Sequence, residues 1–406
     1  MTNSIRAALR TVVCGGVVAC GLLRATDAAG QAEVGFARAQ SFQIQGSGWG
    51  DAGLYNMGHG GWDASASGYG NFTLPHPLQY NAGNGGGFYG LVINDRALAR
   101  FVQVVWVWDD DLTVVVNTNL PPGMVPIPAG AFQMGNAMDA AEGWTDELPL
   151  HQVQVGDFYM DTNEVNGTLW ADVYNWATNH GYAFESPVWA RATNEPVQYV
   201  CWYDVVKWCN ARSEKDSRTP CYYTSAVQTN VYRVGRQDVQ DDWVKWTAHG
   251  FRLPTEAEWE KAARGGAAGR RFPWGDTDTI THSLANYFSY ESTPYDLSPT
   301  RGAHPSFQAG GTPYTNPAGS FPGNGYGLQD MAGNVWEWCW DWYDDAWYGA
   351  AGATQADTRG PTYSPAGSRS LRGGSWDDGA YYARCSCRFD HAPFSASYFV
   401  GFRCVW

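Results

Sequence analysis

Gly250-Phe251-Arg252-Leu253-Pro254-Thr255-Glu256-Ala257-Glu258-Trp259-Glu260 contains a complete helix start. Thr255 is a good N-cap, Glu258 stands three residues on to close a capping box, and Pro254 precedes them. The helix so begun stops at Gly265-Gly266. Upstream, Asn166 can cap a helix bearing Leu169, Trp170, Val173, Tyr174 and Trp176, whose spacing keeps the apolar rings largely on one side. Another helix is expected from about Trp202 to Ser213, presenting Val205, Val206 and Cys209. Beyond Gly266 the helical pattern nearly disappears. The chain from there on is long and rich in Gly, Pro, Asn and Trp, and it stays compact only if ligands, metals, bridges or rings fix its loops.

The whole chain has 406 residues, enough for one large domain and a smaller one. Charged residues make up only 16%, against about 25% in an average domain. With 48 Gly, 21 Trp and 23 Tyr, it is neither a charge-rich coiled coil nor an aromatic-poor disordered chain. A formal charge of −14 with no Lys/Arg-rich run excludes nucleic acid as an expected partner.

Residues 1–30 read as a signal peptide: Arg6 and Arg10, an apolar stretch from Thr11 to Leu23, then small residues. The competing reading is a lipobox that would make Cys20 a lipid anchor. No segment reaches the length of about 20 apolar residues needed for a transmembrane helix. The expected location is therefore periplasmic, cell-envelope or extracellular. Export leaves Cys201, Cys209, Cys221, Cys339, Cys385, Cys387 and Cys404, an odd set without a CxxC pair, which favours disulfides over zinc. Residues 31–120 form a Gly-rich β domain of unknown type. In it Phe101–Trp108 and Leu112–Val116 read as a hairpin around Asp109-Asp110-Asp111, a solvated acidic turn lacking EF-hand spacing. Pro121-Pro122-Gly123 is the expected linker to a second domain, 121–406.

Two more motifs lie downstream: Gly325-Tyr326-Gly327-Leu328 running into Gly333-Asn334-Val335-Trp336-Glu337-Trp338, then Arg372-Gly373-Gly374-Ser375-Trp376 with Gly401-Phe402-Arg403-Cys404. With the helix-start motif and Met124-Val125-Pro126-Ile127-Pro128-Ala129-Gly130, they closely resemble the formylglycine-generating enzyme, or sulfatase-modifying-factor, family from residue 124 to the end. The resemblance implies a C-type-lectin-like α+β fold of low regular secondary structure. It also implies a copper-dependent oxidase that uses molecular oxygen to convert the cysteine of a Cys-x-Pro-x-Arg segment to formylglycine. The family's two copper-binding cysteines lie three and eight residues after the Ser of Gly-Gly-Ser. Here Asp378 and Ala383 stand there. A carboxylate is a hard ligand and Ala is none, so copper is not expected and the fold match does not carry the activity with it. Cys385 and Cys387, ten and twelve residues after Ser375, are the one substitute pair, although Arg384-Cys385 matches a family position whose Cys serves a structural bridge. The His-x-x-x-His-x-Glu motif of the family's sulfoxide-forming branch is absent.

The resemblance further implies calcium held by the side chains of Asp330 and Glu337 and the carbonyls of Gly333 and Val335, hard oxygen donors suited to that ion. The family's second calcium set maps onto Asn286 and the Tyr287 carbonyl. Its downstream Asp is replaced by Gly310, with Asp296 as the nearest compensation. Cys209 and Cys404 match a family disulfide, and Ala262 or Ala263 replaces a partner of the second bridge. The expected function is a calcium-stabilised binding or accessory module for a protein, peptide or glycan, with Trp376, Asp377, Asp378, Tyr381 and Tyr382 lining a groove. The alternatives are a peptide-maturation enzyme of altered chemistry, using Asp377, Asp378 or His391, and an oxidoreductase using Cys385 and Cys387. Catalytic candidates are thus Ser375, Asp378, Cys385, Cys387 and His391.

Overall fold

The computed structural model describes residues 123–406 apart from 140, together with the backbone of seven strands between residues 31 and 117. The expected signal peptide, Cys20, the strand Phe101–Trp108 and its acidic turn lie outside the described residues. The chain divides into two compact units, Met1–Pro122 and Gly123–Trp406.

In the first unit, β1 (Gln31–Phe36), β3 (Asp51–Asn56), β4 (Gly61–Ser67) and β6 (Tyr89–Asn94) form an antiparallel sheet in the order β1-β6-β3-β4. A second sheet takes β2 (Ser41–Gln45) as its centre, with β5 (Gly70–Thr73) antiparallel and β7 (Val114–Asn117) parallel to it.

The described residues of the second unit form three α-helices. All three start where the sequence places them. Helix α1 (Gly167–Thr178) is capped by Asn166, whose Oδ1 accepts from the Leu169 amide at 2.9 Å. Helix α2 spans Trp202–Lys215. Helix α3 (Glu256–Ala263) has a full capping box: Glu258 N donates to Thr255 Oγ1 at 3.2 Å and Thr255 N to Glu258 Oε2 at 2.8 Å. Short ladders join β8 (Met124–Ile127) to β11 (Phe158–Asp161) and β9 (Gly130–Met134) to β10 (His151–Val155). The main sheet runs β14-β13-β12-β15, from Arg388–His391, Arg369–Arg372, Trp336–Trp342 and Val400–Gly401, with β15 parallel to β12. The remainder is mostly loop, which gives the expected α+β fold of low regular secondary structure.

Many of the described charges are buried. Helix α3 presents Glu256, Glu258 and Glu260, which pair with four arginines. Glu256 takes Arg388 at 2.6 and 2.9 Å, Glu258 takes Arg252 at 2.6 Å, and Glu260 takes Arg264 at 2.7 Å together with Arg372. Glu147 holds buried Arg384 at 2.6 and 2.7 Å, and Glu337 holds buried Arg403. Buried charges persist only when paired and hydrogen-bonded, and bidentate arginine forks meet both conditions. These pairs cross-link loops to α3 and the sheet. Aromatic packing does the rest, as in the stack of Trp170 on Trp208 at 5.6 Å and 5°.

Candidate functional site

The Gly373-Gly374 turn delivers Ser375 from the end of β13. Both glycines have positive φ, 99° and 75°. A Cβ on Gly373 would lie 3.1 Å from the Trp259 ring, and one on Gly374 3.0 Å from the Tyr382 carbonyl carbon. Neither position has room for a side chain. Ser375 Oγ donates to Asp378 Oδ2, and the Trp336 indole N–H donates to the same oxygen at 2.8 Å. The Asp378 carboxylate also feels the like charge of Asp377. Burial, only partly offset by the Ser375 and Trp336 hydrogen bonds, pushes its pKa above the usual carboxylate range.

Rings flank this pair on two sides. Trp376 is buried, with Tyr314 at 5.2 Å and Tyr398 at 5.9 Å between centroids, and its Nε1 has no acceptor. Asp377 is exposed and accepts from the Tyr398 hydroxyl at 3.2 Å. Opposite, half-buried Tyr381 and Tyr382 pack at 4.1 Å and meet Trp144 edge-on at 5.8 and 5.2 Å. Trp144 stands 40% exposed. The predicted groove residues therefore do gather around Ser375, but Trp376 faces inward rather than lining an open surface. Trp144, Tyr314 and Tyr398 belong to the same neighbourhood and were not found in the sequence, because nothing in their local context marks them.

The other catalytic candidates lie elsewhere. Cys385 and Cys387 are fully buried in two different hydrophobic clusters, Cys385 with Ala262, Ala263 and Cys339, Cys387 with Trp336 and Leu371. Burial pushes the Cys385 thiol up to about 12 and the Cys387 thiol higher still, so neither supplies a thiolate. Ala383 is buried and carries no donor. The residues present do not fit a copper thiolate site. His391, on β14, bonds Ser397 Oγ at 2.9 Å and stacks near Trp338 rather than joining Asp378.

Both calcium sets fit only in part. Asp330 has a buried, unpartnered Oδ1, but Glu337 does not stand free: Arg403 contacts both its oxygens at 2.7–3.0 Å and the Trp259 indole donates to Oε2 at 2.7 Å. In the second set Asn286 Oδ1 is unpartnered, while the Tyr287 carbonyl meets His282 Nε2 at 3.1 Å. Asp296 is occupied by Tyr287, Ser289, Tyr290, Ser298 and Arg301. Among the described residues, no group of three or more His, Cys, Asp or Glu side chains is placed to hold a metal. Cys209 and Cys404 bring their sulfurs to 3.5 Å.

A small sheet carrying long loops, with a glycine turn presenting a serine beside it, is the architecture of the C-type-lectin-like fold that formylglycine-generating-enzyme-like proteins share. The sulfatase-modifying factor enzyme 1-like domain matches residues 112–406, and the chain belongs to that family. It is 33% identical over 302 residues to the formylglycine-generating enzyme of Streptomyces coelicolor, covering 70% of this chain and 88% of that protein. It is 31% identical over 233 residues to the chaperone protein LppX of Paenibacillus barcinonensis, covering 56% and 74%. Among solved structures, Treponema denticola variable protein 1 matches with a TM-score of 0.51 and 29% identity, over 70% of this chain and 94% of that one.

Proposed function

We propose that this chain is an exported sulfatase-modifying-factor domain without formylglycine-generating oxidase activity, stabilised by calcium and working as a binding or accessory module for a protein, peptide or glycan. One observation carries the reading: Asp378 and Ala383 stand where the family places its thiol ligands, while the nearest cysteines are buried apart with raised thiol pKa values. A soft Cu(I) ion has no ligand set here. The chain's likeness to a protein named a chaperone supports a role outside oxidation. The site itself offers a carboxylate pair among aromatic rings, a combination suited to recognition.

The deciding test is Cu(I) titration of the mature chain beside the Cys385→Ser/Cys387→Ser double variant, with oxygen consumption measured on a Cys-x-Pro-x-Arg peptide. Equal weak binding and no consumption are expected. Tight binding abolished by the double change would restore the oxidase. The calcium element rests on Asp330 and is tested by thermal unfolding in calcium against chelator, where an unchanged midpoint would remove it. Export is tested by the mature N-terminus, placed by mass spectrometry near residue 30 or at a lipidated Cys20.

An enzyme of altered chemistry is the second reading. It is favoured by the Ser375–Asp378 hydrogen bond and by the burial that lifts the Asp378 carboxyl above its ordinary range, the direction a proton-transferring carboxylate needs.

A further inference from the structure

A cavity of about 280 Å³ opens beside Tyr381, lined by Glu142, Trp144, Ser292, Thr293, Tyr295 and Tyr381 among others. We infer that it holds one neutral pyranose residue of a glycan against Trp144. This deepens the binding-module reading and rests on it.

Charge decides first. Glu142 is paired with Arg271 at 2.7 Å, and the Arg384 guanidinium at the cavity wall is committed to Glu147 at 2.6 and 2.7 Å. Both signs are matched before any ligand arrives, so an ion would have to break a pair to bind. A nucleotide would stack on the rings equally well, but the one cation among the lining residues, Arg384, is already paired and the chain's net charge is −14. The ligand is therefore uncharged.

Size and polarity decide next. The volume lies just under the range of roughly 300–1,000 Å³ typical of small-molecule sites, so it admits one ring and not a folded segment. Capture of an extended peptide through its main chain needs an unpaired strand edge. Here the lining residues 142–144 and 292–295 lie in turns, bends and irregular chain rather than in strands. The Ser292 and Thr293 hydroxyls bond no protein group, while Glu142 and the rings add an acceptor and flat apolar faces. Hydroxyl groups on the edge of a saturated ring and C–H bonds on its face match that lining. Trp144 is suited as the platform: exposed, yet braced edge-on by Tyr381 and Tyr382 at interplanar angles of 79° and 71°, it loses little freedom on binding. Tyr290 and Tyr381 come within 3.0–3.3 Å of where a Gly379 side chain would start, so only glycine fits between the two rings.

The test is saturation-transfer NMR on the full mature chain with the methyl glycosides of glucose, galactose, mannose and N-acetylglucosamine, with methyl glucuronide and a Cys-x-Pro-x-Arg peptide as competitors. At least one neutral glycoside is expected to receive saturable transfer. Its Kd should rise at least 10-fold in Trp144→Ala, change little in Trp144→Phe, and rise in Thr293→Val with an unchanged unfolding midpoint. No transfer to any of the four, undiminished binding by folded Trp144→Ala, or preference for the glucuronide or the peptide would overturn the inference. Copper-dependent oxygen consumption would instead strike the module reading itself, leaving the sugar titration to be judged separately.

Discussion

Asp378 shares a hydrogen bond with Ser375, and its surroundings set its titration. Burial disfavours its charged form, so the folded state keeps the proton to higher pH than the unfolded chain. The proton-linked stability is fully present below the ordinary carboxylate pKa of about 3.9 and is lost as pH rises through the raised value. Asp378→Asn keeps an oxygen for Ser375 and Trp336 and removes the charge. Urea unfolding at a series of pH values should show wild type losing stability relative to this variant as pH rises from 4 to 7. Wild type gaining instead would mean that an unseen cation pairs with Asp378. The thiols give a second residue-scale prediction. All seven described cysteines are buried, and burial raises Cys201, Cys209, Cys221, Cys339, Cys385 and Cys387 alike. Ellman's reagent should therefore find essentially no thiol in the native mature chain. After denaturation without reductant it should find five if Cys209 and Cys404 are joined, since seven less two remain, and seven if they are not. A fast-reacting native thiol would contradict the burial. Of this site, the sequence revealed Ser375, Asp378 and the nearby Tyr381 and Tyr382, because they are close in the chain. Trp144 was beyond reach: its partner Tyr381 lies in a distant part of the chain, and a lone Trp in a chain with 21 of them carries no signal.

Helix α3 shows what a short element can hold. Its start was legible because Thr255 and Glu258 satisfy each other's backbone within one turn, a purely local contact. The work of its glutamates was not, because Glu260 reaches Arg372 over 112 residues and Glu256 reaches Arg388 over 132. Removing the cap by Thr255→Ala should cost about 1 kcal/mol. Glu260→Gln should cost more, about 3–5 kcal/mol, because Arg264 and Arg372 then share a buried site without their counter-charge. Urea midpoints with unchanged slopes measure both. Equal losses for the two variants would show that the ion pairs contribute no more than a helix cap. The loops after α3 have similar internal support. His304 Nε2 lies 2.6 Å from the His282 carbonyl, and Asn324 donates to the carbonyls of Ala262 and Ala263 at 2.8 and 3.1 Å. Such side chain to backbone bonds fix part of these loops and leave no periodic trace in the sequence.

Across the whole molecule, the boundary between β-rich and family segments falls in one short stretch: compact units meet at Pro122 and Gly123, and the family match begins at residue 112. The second unit has its own clusters of buried residues, its own sheet and internally paired arginines. The buried pairs of Arg252, Arg264, Arg372, Arg384, Arg388 and Arg403 all join residues within it, so none is orphaned when the first unit is removed. A fragment of residues 112–406 should therefore unfold in one cooperative transition, with a midpoint within a few degrees of the full mature chain and the same near-UV dichroism from its packed tryptophans. It should also keep the Trp144-dependent sugar response, since every lining residue of that cavity lies within it. A fragment that folds but loses the response would assign residues 31–111 a part in recognition. One with native far-UV and lost near-UV dichroism would show that the first unit is needed to fix the core.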